Sequence, residues 1–321
     1  ASDTSLQRLL PQIRDGAGFE FARLQDRLVR GEPACRSIPC RPFVGRLVIV
    51  LVVEAEPVGQ DRLDAWGLDF DGALVLAMNN LRACSTGTFE PVGQGVLRSP
   101  CRDRFDAARL LLDDRLRSLP VQGRPVIAIP SCDCLLVAGS DDAAALVALT
   151  ELAAEALETV AHPLGYGLYC LQDDGWSVFD GDAPATERLR QIRYRGDMTV
   201  YDDQKKLLDR IHENENIDLF VASYRLSDSV GTSGSVSSVQ WTRGVDALLP
   251  RADYLWLYCT TARQIVSVAW DVAMDVLGGL SPEPDLLPER YRVGSFPTDT
   301  QMAQLRVRAE RIWNVPDRSP T

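Results

Sequence analysis

The sequence predicts an α+β fold with mixed, largely antiparallel sheets and packed helices, in a chain of two parts. The apolar share of 45% and the charged share of 25% are ordinary for a globular protein. Helical patterns and strand-like runs do not alternate regularly, which argues against a parallel α/β sheet. Residues 181–186, Gly-Asp-Ala-Pro-Ala-Thr, are typical of a linker. We therefore predict an N-terminal domain over residues 1–182 and a C-terminal domain over residues 190–321.

The N-terminal part begins with apolar residues at helical spacing, which predict a helix over residues 5–29, loosened by Gly16 and Gly18. Residues 44–53 form an apolar run rich in β-branched side chains and predict a central strand covered on both faces. Apolar spacing then predicts, in order, helices over 60–66 and 70–81, a strand over 92–97, a helix over 105–119 and strands over 126–129 and 133–137.

The best-specified element of the chain is a helix over residues 141–160. The preceding Ser-Asp-Asp supplies an N-cap and first-turn acids that suit the helix dipole. An apolar stripe on this helix lies opposite three acids, Glu151, Glu155 and Glu158. A hairpin over 168–171 and 176–179, turned by Asp-Asp-Gly, is predicted to follow.

The C-terminal part contains both helical and strand patterns. The helical patterns cover 204–212, 245–249, 272–277 and 299–311, and the strand patterns cover 219–225, 236–241, 254–259 and 265–270. Residues 228–235, rich in Ser and Gly, join two of these strands. This loop lacks the Lys and the following helix of a phosphate-binding loop, so we predict a mobile hairpin loop there.

Several short motifs in the N-terminal part resemble a known bacterial family. They are Leu63-x-x-Trp66-Gly67, Ala77-Met78-Asn79-Asn80-Leu81, Ile129-Pro130-x-x-Asp133-x-Leu135-Leu136-Val137, and Pro163-Leu164 before Trp176-x-Val178-Phe179. Over residues 40–180 the chain resembles the YtpQ-like family of uncharacterised bacterial proteins. The family has no agreed activity, so the resemblance implies a fold and no mechanism. The chain departs from the family at Cys132, where a polar or basic residue is usual.

The acidic residues are concentrated in one segment. The net charge of −11 argues against nucleic-acid binding. Residues 125–187 contain no Lys or Arg and eleven acids, among them Glu151, Glu155 and Glu158. This pattern is typical of a solvated face that keeps the protein soluble, and it also fits an acidic surface for a basic protein partner or for multivalent cations. The three glutamates are our candidate binding residues on this surface.

Cys132, Asp133 and Cys134 are the candidates for catalysis. On a strand the two cysteines would face the same way and could share a metal ion or a disulfide. No second Cys or His pair with zinc-site spacing accompanies them, so we favour core packing and predict no metal or cofactor. Asp133 would lie on the opposite face of an apolar strand, either bonded to backbone amides or within a polar site.

Tyr254, Trp256 and Tyr258 alternate along one predicted strand, and Trp241 ends another. Aromatic packing around a central strand is the ordinary interpretation. The alternative is an exposed aromatic surface for a partner, because Tyr and Trp are enriched at protein interfaces.

These patterns favour a non-catalytic bacterial binding or accessory protein, of adaptor or immunity type, that acts by protein–protein contact. The alternative is an enzyme of unassigned class centred on Asp133 and the two cysteines. The longest apolar run, residues 47–53, is too short to cross a membrane, and no apolar leader opens the chain. We therefore expect a cytosolic protein that binds neither membrane nor nucleic acid, with its oligomeric state left open.

Overall fold

A computed structural model describes residues 4–31, 38–161, 163–180, 183–228, 234–260, 264–284 and 286–309. The described residues form an α+β fold with mostly antiparallel sheets, which confirms the predicted class. The chain divides into two units. The first unit comprises residues 1–19 and 34–193, and the second comprises residues 20–33 and 194–321. The second unit thus takes in a segment from near the start of the chain.

The described residues of the first part of the chain build two sheets and five α-helices. The elements are β1 (Leu9–Asp15), α1 (Gly16–Arg30), β2 (Cys40–Pro42), β3 (Leu47–Val53), β4 (Glu56–Pro57), α2 (Gln60–Trp66), α3 (Phe70–Cys84), β5 (Glu90–Gly93), β6 (Val96–Arg98), α4 (Asp113–Arg117), β7 (Pro125–Ser131), β8 (Cys134–Gly139), α5 (Ala143–Thr159), β9 (Leu168–Gln172) and β10 (Gly175–Phe179). One sheet has the order β1-β3-β2 with β4 also paired to β3, and the other has the order β10-β9-β7-β8-β6-β5.

Strand β3 is the centre of the first sheet. Every residue of β3 is buried, as its continuous apolar run predicts, and it pairs antiparallel with β1, β2 and β4. The predicted helix over residues 5–29 is wrong in its first half, because residues 9–15 form β1 in register with β3. Pro11 would lack a backbone donor inside a helix, and pairing with β3 gives this segment partners for its backbone groups.

Helix α5 covers one face of the second sheet. Its N-cap is Asp142, whose Oδ1 accepts a hydrogen bond of 3.0 Å from the backbone N–H of Ala145. Leu149, Ala153 and Leu157 pack in one cluster with side chains of the central strands. The structure confirms the predicted helix. Its cap fixes the start of the helix and its apolar stripe packs on the sheet.

The predicted helix over residues 105–119 is broken. The structure has a 3-10 helix at Ala107–Leu111 and the short α4, separated by Leu112 in a non-helical conformation. Side-chain hydrogen bonds around Arg109, described below, compete with regular helix formation in this segment.

The second part of the chain adds smaller sheets and a long helix. Its elements are α6 (Ala183–Glu215), β11 (Phe220–Val221), β12 (Arg225–Asp228), β13 (Ser235–Thr242), β14 (Ala247–Pro250), β15 (Tyr254–Cys259), β16 (Gln264–Ala269), α7 (Trp270–Leu277), β17 (Arg290–Val293) and α8 (Asp299–Val307). The sheet orders are β11-β14-β17 and β12-β13-β15-β16. Most of the predicted loop over 228–235, residues 229–233, lies outside the described residues.

Two predictions in this part are wrong. Residues 183–186 of the predicted linker belong to α6, while residues 181 and 182 lie outside the described residues. The predicted helix over 245–249 is instead strand β14, which pairs parallel with β11 and antiparallel with β17. Tertiary pairing on both sides of β14 overrides its weak helical pattern.

Candidate functional site

Strand β15 carries a row of aromatic side chains on a central strand. Leu255 and Leu257 are fully buried on one face and pack in the same cluster as residues of α7 and α8. Tyr254, Trp256 and Tyr258 alternate with them and are partly exposed on the other face. We call these three residues the aromatic row. Because strand residues two apart share a face, the row is one continuous strip along the sheet.

The neighbouring strands supply mainly small or polar side chains beside the aromatic row. Trp256 lies between Gln240 of β13 and Ser267 of β16. Tyr258 lies between Thr242 and Ile265, and the side chain of Ile265 is 46% exposed. Directly opposed strand residues project to the same face. The partly exposed row is therefore flanked by Gln240, Thr242 and the exposed Ile265, while Ser267 and the Nε1 atom of Trp256 are shielded from solvent.

Trp241 is not part of this surface. It lies opposite Leu257 in the parallel pairing of β13 with β15, so it faces the core. Its side chain is 3% exposed and contacts Phe296, with ring centroids 5.3 Å apart and an interplanar angle of 64°. The predicted association of Trp241 with the aromatic row is therefore replaced by a packing contact inside the second unit.

The acids of α5 lie in solvent, but two of them share a counter-charge. Glu151, Glu155 and Glu158 are all exposed. Arg188 of α6 reaches both outer members, with Nη1 2.6 Å from Glu151 Oε2 and Nη2 2.8 Å from Glu158 Oε2. Glu155 has no ion pair with any described residue. The candidate acidic surface therefore carries less free charge than its sequence indicates.

Other acids of the Arg-free segment are also close to arginines from outside it. Asp173 lies 3.8 Å from both Arg117 and Arg124. Asp180 lies 3.8 Å from Arg193. Such surface pairs stabilise the fold little, but they reduce the local field that a basic partner would meet. A gap in positive charge along the sequence is thus not an equal gap on the surface.

The triplet of Cys132, Asp133 and Cys134 lies in a hairpin turn. Ser131 pairs with Cys134 at the end of β7 and β8, so Cys132 and Asp133 are the two turn residues. The expectation that Asp133 lies inside an apolar strand is therefore wrong. Cys132 and Asp133 are half-buried and Cys134 is buried. Asp133 Oδ1 is nevertheless shielded from solvent and has no hydrogen-bond partner among the described residues.

Burial favours the thiol form of the two cysteines beside Asp133. Burial raises the pKa of Cys132, and the negative charge of Asp133 raises it further. Burial also raises the pKa of Cys134. Since the thiolate is the nucleophile and metal ligand, this geometry does not activate either sulfur. The described cysteines are all free, and no group of three or more His, Cys, Asp or Glu in the described residues could hold a metal ion.

A buried ionic network beside this turn was missed in the sequence. Arg109 is bidentate to Asp103, with both Nη–Oδ distances 2.7 Å. Its Nη1 lies 3.4 Å from Asp106 Oδ1, and its Nε donates to Ser85 Oγ at 3.0 Å. Ser99 Oγ donates to Asp106 Oδ1 at 2.5 Å. The Arg and Asp residues that are interspersed over residues 98–109 were the available sequence signal for this network, because buried charges need partners of opposite charge.

The two carboxylates of this network differ in their surroundings. Hydrogen bonding from Arg109 is the largest cause that lowers the pKa of Asp103. Burial is the largest cause that raises the pKa of Asp106, whose side chain is fully buried. The network therefore combines one carboxylate that stays ionised with one that is easier to protonate.

A shallow pocket of about 380 Å³ lies between β2 and α3. Its apolar lining includes Leu74, Val75 and Met78, and the ion pair of Arg41 with Asp71 lies on its rim. It contains none of the candidate catalytic or binding residues, although Met78 and Asn79 of the YtpQ-like motif line it. Because Asp71 is paired with Arg41, the pocket is a concave apolar surface without evident acid–base chemistry.

No helix among the described residues has the length and apolar character needed to cross a membrane. The expected cytosolic location stays a prediction. Comparison with family models, curated proteins and solved structures finds no match to this chain. The resemblance of residues 40–180 to the YtpQ-like family also stays a prediction.

Proposed function

We propose that this chain is a non-catalytic bacterial binding or accessory protein that acts by protein–protein contact, with the aromatic row as its contact surface. The observation that carries the proposal is the division of β15 into two faces. One face is completely buried, while Tyr254, Trp256 and Tyr258 remain partly exposed on the other. Strand neighbours on both sides hold the row in place, so little side-chain freedom is lost when a partner covers it.

The chemistry of the row fits an interface better than it fits a solvated surface. Tyr and Trp combine a large apolar area with a polar group at the rim, and they dominate the binding energy of protein interfaces. The exposed Ile265 extends the apolar area beside Tyr258. A contact of this kind gains most of its free energy from apolar burial and is weakly screened by salt.

The acidic helix is a weaker candidate for the same role. Arg188 is already paired with two of its three candidate glutamates and offsets one of their charges. A basic partner would have to displace Arg188 or bind chiefly through Glu155. We therefore assign the contact to the aromatic row and expect α5 to contribute long-range attraction only.

One observation favours the alternative of an enzyme. Asp133 Oδ1 is buried without a hydrogen-bond partner in the described chain, and such groups cluster at functional sites. Against this interpretation, both adjacent thiols have raised pKa values through burial. The substitution Asp133→Asn is expected to leave partner capture unchanged, and loss of a purified activity on this substitution would favour the enzyme.

Capture of the partner from an extract of the native host tests the proposal. The full chain, a Trp256→Ala and Tyr258→Ala double variant, and a Phe220→Ala variant serve as baits, with bound proteins quantified by mass spectrometry. Phe220 is the matched control, because it is an aromatic residue of the second unit that is 53% exposed and lies off the row. Thermal unfolding of each bait verifies its fold.

We expect the double variant to lose the partner and the Phe220 variant to retain it. Truncation of interface hot spots typically costs about 2 kcal/mol or more, which is about a 30-fold loss of affinity. Capture by the wild-type chain should also persist in about 0.5 M salt, where the screening length is only a few ångströms. Equal capture by all three folded baits would contradict the proposal.

A further inference from the structure

Three arginines near the turn of β7 and β8 form no ion pair with the residues that the structure describes. Arg98 ends β6, and Arg102 and Arg104 follow it in the same connection. None of their side chains forms an ion pair or hydrogen bond with a described residue. The two aspartates of this connection, Asp103 and Asp106, are engaged by Arg109. Positive charge therefore remains here in a chain whose net charge is −11.

Backbone hydrogen bonds bring this connection alongside the turn. Arg98 lies opposite Leu136 of β8, and the next backbone N–H, of Ser99, donates to Leu135 O at 3.0 Å. The N–H of Ala107 then donates to Cys132 O at 3.2 Å. The loop between these two bonds therefore starts and ends beside the turn that contains Asp133.

The buried network fixes the conformation of this loop. Arg102 and Arg104 have φ values of +46° and +68°, a region that residues other than Gly seldom adopt. Asp106 Oδ2 accepts from the N–H of Arg102 at 2.8 Å, and Asp103 Oδ1 accepts from the N–H of Phe105 at 3.0 Å. The carboxylates that bind Arg109 thus also hold the backbone that presents the free arginines.

The charges of these arginines favour the thiolate forms of the two cysteines beside the turn. Burial is the main cause that raises the pKa of Cys134, and the charges of Arg98 and Arg102 oppose it. Arg104 opposes the raised pKa of Cys132 in the same way. All three guanidinium groups therefore act on the two cysteines that flank Asp133.

Two buried polar atoms in this region lack partners. Arg98 Nε is a donor without an acceptor, and Asp133 Oδ1 is an acceptor without a donor, among the described residues. Exposed guanidinium groups are satisfied by water, but a shielded N–H and a shielded carboxylate oxygen are costly to leave unpaired. A ligand that carries both an anionic group and a hydroxyl group would offer an acceptor to the arginines and a donor to the carboxylate of Asp133.

We propose that Arg98, Arg102 and Arg104 form a binding site for a small phosphate monoester, one hydroxyl group of which donates to Asp133. Guanidinium groups match the geometry of phosphate oxygens and bind them with charge-assisted hydrogen bonds. Asp133 repels phosphate itself but selects esters that present a hydroxyl donor. The site lies in the first unit and is independent of the contact proposed for the aromatic row.

Calorimetric titration of the full chain at low salt tests this site with three probes, glycerol 3-phosphate, inorganic phosphate and glycerol. We expect the wild-type chain to bind glycerol 3-phosphate with a Kd of about 1 mM or lower, at least about threefold more tightly than phosphate, and not to bind glycerol. Arg98→Met and Arg104→Met should each weaken both anions about tenfold. Because Arg104 is exposed, its variant tests the site even if substitution of Arg98 disturbs the fold.

Asp133→Asn separates the role of the Asp133 carboxylate from that of the arginines. It should remove the preference for glycerol 3-phosphate while leaving the affinity for phosphate equal or higher, because a negative charge is lost. Arg188→Met, at an exposed arginine of α6, is the matched control and should bind as the wild type does. The proposal would be overturned if the wild-type chain bound neither anion, or if Arg188→Met weakened binding as much as the other arginine variants do. It would also be overturned if Asp133→Asn still preferred glycerol 3-phosphate to phosphate.

Discussion

Among the described residues each unit buries one arginine, and the two arginines are stabilised by different partners. In the first unit, Arg109 is paired with the carboxylates of Asp103 and Asp106. In the second unit, Arg290 is fully buried and has no carboxylate partner among the described residues. Its guanidinium donates to Gln204 Oε1 at 2.6 Å and to backbone carbonyl oxygens, those of Ala222 at 2.8 Å, Tyr201 at 3.0 Å and Leu248 at 3.3 Å.

The pKa values follow from these partners. Burial lowers the pKa of Arg290 to about 10, since its partners are neutral dipoles. Burial alone would also lower the pKa of Arg109, but the hydrogen bond and charge of Asp103 outweigh it and raise that pKa. Stabilisation of a buried arginine by carboxylates changes in acid, because the carboxylates take up protons. Stabilisation by amide and carbonyl oxygens does not change there, because these groups do not titrate.

The largest predicted effect is that of Arg290→Met. The substitution removes the Arg290 donor from Gln204 Oε1 and from the carbonyl oxygens of Ala222 and Tyr201 in the core, while Leu248 O keeps the N–H of Ala222. Since each unsatisfied buried polar group costs about 1–3 kcal/mol, we expect a loss of about 3 kcal/mol or more in the free energy of unfolding. Urea unfolding of wild type and variant at pH 7 and pH 4 measures it. A loss that differs strongly between the two pH values would contradict the difference described here between Arg290 and Arg109.

Arg109→Met should destabilise by about 3 kcal/mol at pH 7, because it leaves the buried Asp106 ionised without a counter-charge. Burial already raises the pKa of Asp106, so the folded state gains stability as this group takes up a proton. The loss caused by Arg109→Met should therefore shrink as the pH falls to about 4. The same urea series measures this change, and an equal loss at both pH values would contradict the assignment of Asp106.

Asp103→Asn should have a smaller effect, which also disappears as the pH falls. Hydrogen bonding from Arg109 lowers the pKa of Asp103, so its stabilising contribution is present above the ordinary value of 3.8 and is lost as the pH falls through the lowered value. Because the side chain is 40% exposed, solvent screening limits the loss at pH 7 to about 1 kcal/mol or less. Wild type and variant should become equally stable in acid. A loss that persists in acid would show a role other than charge pairing.

Arg188→Ala is expected to have the smallest effect. It frees Glu151 and Glu158 on a solvent-exposed face, where ion pairs contribute little to stability. Tm should hardly change at ordinary salt, and capture of the partner should not fall. An increase in capture of basic proteins would show that Arg188 normally masks an acidic surface. A large drop in Tm would show that the pair is structural.

The elements that sequence analysis predicted well are those with a local and continuous signal. Strand β3 is an unbroken apolar run, α5 has a cap and a stripe, and β15 alternates aromatic with aliphatic residues. Each pattern is complete within the element itself, so no knowledge of distant partners is needed. The alternation along β15 also predicted that the three aromatic residues share a face.

The features that the sequence could not predict depend on residues far apart in the chain. Strand β1 resembles a helix until it is paired with β3, which is more than thirty residues away. The bridging of Glu151 by Arg188 spans 37 residues. Asp133 was placed in a strand because Cys132 and Asp133 lack the Gly or Asn that usually indicates a two-residue turn. Pairing and burial, rather than local propensity, decided these cases.

Hydroxyl-radical footprinting of the full chain, alone and with the partner that it captures, tests the contact surface most directly. The aromatic row predicts that oxidation of Trp256 and Tyr258 falls when the partner is bound, while oxidation of the exposed Phe220 is unchanged. Unchanged oxidation of Trp256 and Tyr258 in the bound state would contradict the account. Protection confined to α5 would place the contact on the acidic helix instead.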